Sequence, residues 1–179
     1  MELAITLAAR NSSASRIEDL WRAASRFERT PSMLAKGYPP HLTFAIYNGI
    51  RKDDLIQVFQ AVSSEQPALL QTFHRVDTFD VHPLVLWAAP VGTDALRAIH
   101  DQLHRLMDPS HCDPHYRPGM WVPHCTLAVD VAPDRRKEAL AYALRPISPF
   151  SVRFDAMELV DVSDLTVVRT VALGENSSL

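Results

Sequence analysis

Histidine followed two residues later by threonine occurs twice in this chain in one and the same setting. Pro40-His41-Leu42-Thr43-Phe44 and Pro123-His124-Cys125-Thr126-Leu127 stand 83 residues apart. Each opens an apolar run of β type, Phe44-Ala45-Ile46-Tyr47 and Leu127-Ala128-Val129. Side chains alternate faces along a strand, so histidine and threonine share one face while Leu42 or Cys125 points to the other. Imidazole is the side chain whose proton moves most readily near neutral pH. Two such faces set opposite each other offer two imidazoles and two hydroxyls to one small anion. That is the equipment for acid–base chemistry at phosphorus, with no metal and no cofactor.

A single triplet of this kind reads as a structural histidine beside a good β-former. The matched pair reads differently. A core has no use for an imidazole at equivalent places in both halves with a hydroxyl two residues on, because buried polar groups cost free energy unless paired. The remaining histidines offer a rival reading. His100 and His104 lie four apart on a predicted helix, and His111, Cys112 and His115 follow, which is metal-ligand spacing on paper. A helix face joined to a proline-rich loop fixes no ligand geometry, so no metal is assigned. Glycine-rich phosphate loops and G-x-S-x-G elbows are both missing from the sequence.

The elements that must hold the two motifs follow from periodicity. Ser15-Arg16-Ile17-Glu18 fits a capping box, and Ile17, Leu20, Trp21, Ala24 and Phe27 form one apolar helical stripe. Asp53 or Asp54 caps a second predicted helix with Leu55, Ile56, Phe59 and Val62 inward. Thr93 precedes a third, with Leu96, Ile99, Leu103 and Leu106 or Met107 inward. Pro133 suits the first turn of a fourth, with Leu140 and Leu144 on its apolar face. Residues 150–160 and 165–173 read as a closing hairpin across Ser163-Asp164. Moved by 83 positions, the first half falls on the second in element order: strand, helix, HxT strand, helix, then two strands. The chain therefore reads as one domain over residues 1–179, an internal duplication of roughly 1–88 and 84–179. Two proline-rich stretches, 30–40 and 108–123, each end at an HxT histidine and flank the expected cleft. They carry Tyr38, Tyr116 and Trp121, aromatic rings able to stack on a base or sugar.

Composition bounds the partner. The 179 residues are 47% hydrophobic, ample for a core, and 18 Lys plus Arg against 21 Asp plus Glu give a net charge of −3. Arg135-Arg136-Lys137 is the one dense basic cluster, and Glu138 follows it. This is no electrostatic track for DNA or long RNA, so a nucleotide-sized ligand is favoured. Two cysteines make no disulfide framework. No secretory signal is evident and no run approaches the ~20 apolar residues of a membrane helix, so a cytoplasmic protein with no membrane partner is the expectation.

The paired strings resemble the HxTx signatures of the two-histidine phosphoesterase superfamily, which includes the 2'-5' RNA ligase and cyclic phosphodiesterase families. Leu84-Val85-Leu86-Trp87 with Pro90, Glu158-Leu159-Val160, and Val167 to Leu173 look like that family's remaining strands. The resemblance implies a bilobal α+β fold, two pseudo-symmetric lobes each with an antiparallel sheet flanked by helices, and the active cleft between them. It implies that His41 and His124 are catalytic, one as base and one as acid, with Thr43 and Thr126 donating to the phosphate; from their place in the flanking loops, Tyr38 and Trp121 are expected to contact the substrate. The reaction implied is the metal-independent opening of a 2',3'-cyclic phosphate on a small nucleotide. The alternatives are 2'-5' ligation of an RNA end by the same site, or a non-catalytic module that binds a phosphate-bearing ligand.

Overall fold

The computed structural model describes residues 2–64 and 66–174. In chain order the elements are β1 (Leu3–Ala8), α1 (Ser15–Ser25), α2 (Ser32–Ala35), β2 (His41–Tyr47), α3 (Lys52–Ser63), β3 (Leu69–Phe79), β4 (Val85–Val91), α4 (Asp94–Leu106), β5 (Cys125–Ala128), α5 (Arg136–Ala143), β6 (Phe150–Phe154), β7 (Ala156–Asp161) and β8 (Val167–Ala172). The strands make two four-stranded sheets, in the orders β2-β1-β7-β8 and β5-β4-β3-β6. Every pairing is antiparallel. This is the expected α+β class, two antiparallel sheets flanked by helices.

Each HxT strand is an outer strand of its sheet, β2 of one and β5 of the other. These two edges meet, with Cα atoms of β2 and β5 within 8 Å. The Cys125 thiol lies beside the His41 backbone across the junction. Cys125 and Leu42 are fully buried, as the alternation of the strands requires. Burial pushes the Cys125 thiol up to about 12.

The helices cross over between the sheets. α1 follows β1 in the chain yet packs against β5, while α4 follows β4 yet contacts β2. The two proline-rich loops cross in the same sense. Residues 26–40 are pinned to the end of β5: Glu28 and Val131 form a bridge, and the Glu28 carboxylate accepts the Val129 N–H at 2.9 Å. Residues 108–123 are pinned to β2 through a Tyr47–Cys112 bridge and an Asp113 N–H to Ile46 carbonyl bond of 2.8 Å.

Several local expectations need correction. Ser15 does not cap α1. The chain enters through a 3-10 turn at Ser12–Ala14, and Asn11 caps that turn through its side-chain oxygen. Asp53 and Asp54 lie in the first turn of α3 and make no cap bond. Leu144 is 87% exposed, because α5 ends at Ala143 and turns its buried face inward at Ala139. The expected strand over 150–160 is two strands in two sheets. At Asp155 the chain leaves β6 for β7, with Asp155 held by N–H to Ala8 carbonyl (3.1 Å) and by Arg10 N–H to its carboxylate (2.7 Å). Only β7 and β8 form the closing hairpin.

Candidate active site

The edge-to-edge junction is where the two motifs meet. In β2, His41 and Thr43 are half-buried while Leu42 and Phe44 are fully buried; in β5, Thr126 is half-buried between Cys125 and Leu127. A β-bulge lies in the β1–β2 ladder, where Ile5 pairs with Ala45 and Thr6 with Thr43. It leaves Phe44 unpaired and brings Ile46 to the cleft side with Thr43.

Both imidazoles are oriented in one way. His41 Nδ1 lies 2.8 Å from the carbonyl oxygen of Pro39, and His124 Nδ1 lies 2.7 Å from that of Val122. A carbonyl only accepts, so Nδ1 carries the proton in each ring and Nε2 is left to exchange one. Burial pulls His41 down to about 4, against the Pro39 bond, which favours the imidazolium; the Lys36 ammonium and His124 add to the depression. His124 is likewise lowered by burial.

Two cavities adjoin there. One of about 180 Å³ is lined by Lys36, Tyr38, His41, Thr43 and Thr126, with Thr6 at its floor. The other, about 580 Å³, is lined by His124, Thr126, Phe79, Val85, Met120 and Val122. Ile46, Tyr116, Thr126 and Val129 line both, so the two spaces share a seam. Among the described residues lining them, Lys36 is the one lysine or arginine.

The aromatic residues hold the site from beneath. Tyr38 is 6% exposed and sets its ring edge-on to His41, centroids 4.8 Å apart. Its hydroxyl donates to Glu158 at 2.6 Å and bonds Thr6 at 2.8 Å. Glu158 is fully buried and also takes Arg10 Nε at 2.5 Å. Trp121 is 5% exposed and lines neither cavity. Its indole N–H donates to the Thr43 carbonyl at 3.0 Å. The Trp21 indole does the same for the Thr126 carbonyl at 2.9 Å. Trp121 is thus placed behind the HxT strand rather than against the space in front of it, and Tyr38 has its polar end turned into the protein. His124 has its own apolar frame, Phe79 and Trp87, both edge-on at 5.0 and 5.9 Å.

The structure brings His41, Thr43, His124, Thr126 and Tyr38, all named from the sequence, to the two adjoining cavities. Sequence reasoning did not find Lys36, which stands five residues before His41 inside the proline-rich stretch, nor the Arg10–Glu158–Tyr38–Thr6 network. No pattern in one sequence pairs residues 10, 38 and 158. The spacing of His100, His104, His111, Cys112 and His115 has another explanation for its first two members. His100 and His104 each point Nε2 at the Tyr116 carbonyl, at 2.8 and 3.0 Å. Among the described residues no three His, Cys, Asp or Glu side chains converge as metal ligands would. No described helix is long and apolar enough to cross a membrane.

A family model described as the 2'-5' RNA ligase superfamily matches residues 10–165. The fold is similar to E. coli LigT complexed with 3'-AMP, with a TM-score of 0.64 and 18% identity over 96% of this chain and 97% of that one. It is similar to TT0787 of Thermus thermophilus, TM-score 0.63, 15% identity, over 98% and 100% of the two chains. A third crystal structure, of a phosphoesterase, gives a TM-score of 0.63 and 16% identity over 97% and 99%. At such identities the structural likeness is one of fold. No curated protein sequence matches the chain.

Proposed function

The chain belongs to the 2'-5' RNA ligase superfamily, and from that premise we propose that it is a metal-independent phosphoesterase that opens nucleoside 2',3'-cyclic phosphates. Family membership supports a phosphoesterase or ligase role. The observation that carries the finer reading is the matched pair of imidazoles, each with Nδ1–H held by the carbonyl two residues back. In this reading each Nε2 serves the cavity that its ring lines, His41 the smaller one with Thr43 and His124 the larger one, with Thr126 common to both.

The two cavities suggest which histidine does what. In-line displacement puts the attacking and leaving oxygens on opposite sides of phosphorus. The small compartment beside His41 suits a water. The large apolar compartment beside His124 suits the nucleoside, to which the departing ribose oxygen is attached. His41 Nε2 takes a proton from the water as its oxygen bonds to phosphorus. His124, as imidazolium, gives a proton to the 3'-oxygen as the P–O3' bond breaks. The product is a nucleoside 2'-phosphate. Thr43 and Thr126 donate to the non-bridging oxygens, and Lys36 adds positive charge on the His41 side.

The scarcity of cations favours a substrate with one phosphate over an RNA end, because each backbone phosphate held calls for a Lys or Arg partner. Phe79, Val81, Val85 and Met120 offer an apolar wall of the size and character a nucleobase requires. A panel of nucleoside 2',3'-cyclic phosphates, with ribose 2,3-cyclic phosphate as the member lacking a base, tests this. Product regiochemistry is read by phosphorus NMR. Turnover to the 2'-phosphate, with kcat/KM at least ~10-fold lower for the baseless member, is expected. Turnover only of RNA ends with a free 5'-hydroxyl acceptor would move the assignment to ligation.

A further inference from the structure

In the proposed reaction the larger cavity holds the nucleoside end of an anion, yet a carboxylate lines it. Among the described residues around that space there is no lysine or arginine, and there is Asp113. A negative charge in the same cavity as a bound phosphate opposes it through space, unless the ligand brings hydrogen-bond donors to that charge. Asp113 opens the 3-10 turn Pro114–Tyr116 and is fixed from two sides. Its N–H donates to the Ile46 carbonyl at 2.8 Å. Its Oδ1 accepts the His115 backbone N–H at 2.9 Å and the His115 ring Nδ1–H at 3.1 Å, while Oδ2 takes no bond among the described residues. Arg117, the next cation along the chain, is committed to the Cys112 and Ser110 carbonyls at 2.8 and 3.1 Å. Capping the turn needs one neutral acceptor, which Asn or Ser supplies as well. The charge and the open oxygen are surplus to that role.

We propose that Asp113 reads the base of the substrate and that the larger cavity selects guanine. An ionised carboxylate accepts and never donates. Guanine presents N1–H and an N2 amino hydrogen side by side, two donors for one carboxylate. Adenine and cytosine present an amino group beside an unprotonated ring nitrogen, whose lone pair would face the carboxylate. Uracil presents N3–H between two carbonyl oxygens. Only guanine offers two adjacent donors. The cavity, about 580 Å³, has the size of a small-ligand site and accommodates a purine. Its apolar walls of Phe79, Val85 and Met120 make a misplaced acceptor costlier there than in water. The Asp113 side chain is 40% exposed, so water competes for it. The lower part of the range for a bidentate contact then applies, about 10-fold in discrimination. The inference rests on the proposed opening of nucleoside 2',3'-cyclic phosphates.

The test compares kcat and KM for guanosine, inosine and uridine 2',3'-cyclic phosphates in the wild type, Asp113→Asn and Asp113→Ser. Inosine differs from guanosine only in lacking the N2 amino group, and both variants keep an oxygen for the turn. The wild type is expected to prefer guanosine to inosine about 10-fold in kcat/KM, chiefly through KM, and to uridine by at least as much. In both variants the guanosine-to-inosine ratio should fall close to unity. A ratio of two substrates does not depend on how much of a variant folds, so a merely structural Asp113 would leave it at the wild-type value. A wild-type ratio near unity, or a ratio that survives both substitutions, would overturn the proposal and leave the opening of cyclic phosphates standing. If the wild type opens no cyclic phosphate, the functional reading fails. Calorimetric binding of guanosine and inosine 2'-phosphates by the same three proteins then decides on Asp113, equal affinities overturning it. Neither turnover nor binding would overturn both.

Discussion

The bond at Nδ1 turns each HxT histidine from a flexible base into an oriented one. Pro39 and Val122 supply the carbonyls, two residues before each ring. The ordinary histidine value is 6.5; burial takes His41 to about 4 and lowers His124 as well. In the free protein the state with one ring neutral and one protonated is therefore most populated on the acid side of 6.5. We predict that kcat/KM peaks below pH 6.5, between two apparent values that belong to the pair. The kcat profile should peak at higher pH, because a bound anion favours the imidazolium. A kcat/KM optimum above pH 7.5 would contradict this. At this scale the sequence is highly informative about identity and mute about geometry. The two-residue spacing of His and Thr fixes a shared face wherever a strand forms. The bond back to residue i−2 depends on loop conformation, which no local pattern encodes.

Trp21 and Trp121 show what the elements contribute. Each indole comes from one half of the chain and supports the HxT strand of the other: Trp21 from α1 reaches Thr126, and Trp121 from the 108–123 loop reaches Thr43. Periodicity placed Trp21 on the buried stripe of α1, and that is where it is. It could not show that α1 would pack under the second sheet rather than its own. The same limit explains the strand over 150–160, an unbroken β pattern that changes sheets at Asp155 through contacts with residues 8 and 10. Trp121→Phe and Trp21→Phe keep an aromatic ring but remove one N–H and part of the buried indole volume, leaving a carbonyl short of a partner and a small cavity. Each should cost about 1–3 kcal/mol of stability, measured by urea denaturation. A cost near zero for both would mean that solvent satisfies those carbonyls, and that the indoles do not brace the strands.

The whole molecule is two sheets joined along an edge that both must supply. We read the matching orders β2-β1-β7-β8 and β5-β4-β3-β6, with an HxT strand at one end of each, as two copies of one ancestral unit related by the 83-residue offset. Joining the edges removes water from several histidines at once. His41 and His104 are each held near 4 instead of 6.5, chiefly by burial. A folded-state value below the unfolded one means that the unfolded chain binds protons first as pH falls. Stability from these groups is thus fully present above about pH 6.5 and is lost progressively toward pH 4. Each such proton contributes a slope of up to about 1.4 kcal/mol per pH unit. Urea midpoints should fall steadily between pH 7 and 4, and less steeply for His104→Gln. A midpoint independent of pH over that range would contradict the burial account.

The most direct test of the central claim is the turnover of a nucleoside 2',3'-cyclic phosphate, in excess chelator, by the wild type, His41→Ala, His124→Ala and the double variant. A positioned acid or base is worth roughly 10²–10⁴ in rate. The account predicts that the wild type turns over undiminished by the chelator and that each single variant loses kcat by that range. It predicts that the double variant loses far less than the product of the two, because the rings act as a unit. Wild-type turnover in either single variant, or an activity that chelation abolishes and zinc restores, would contradict it.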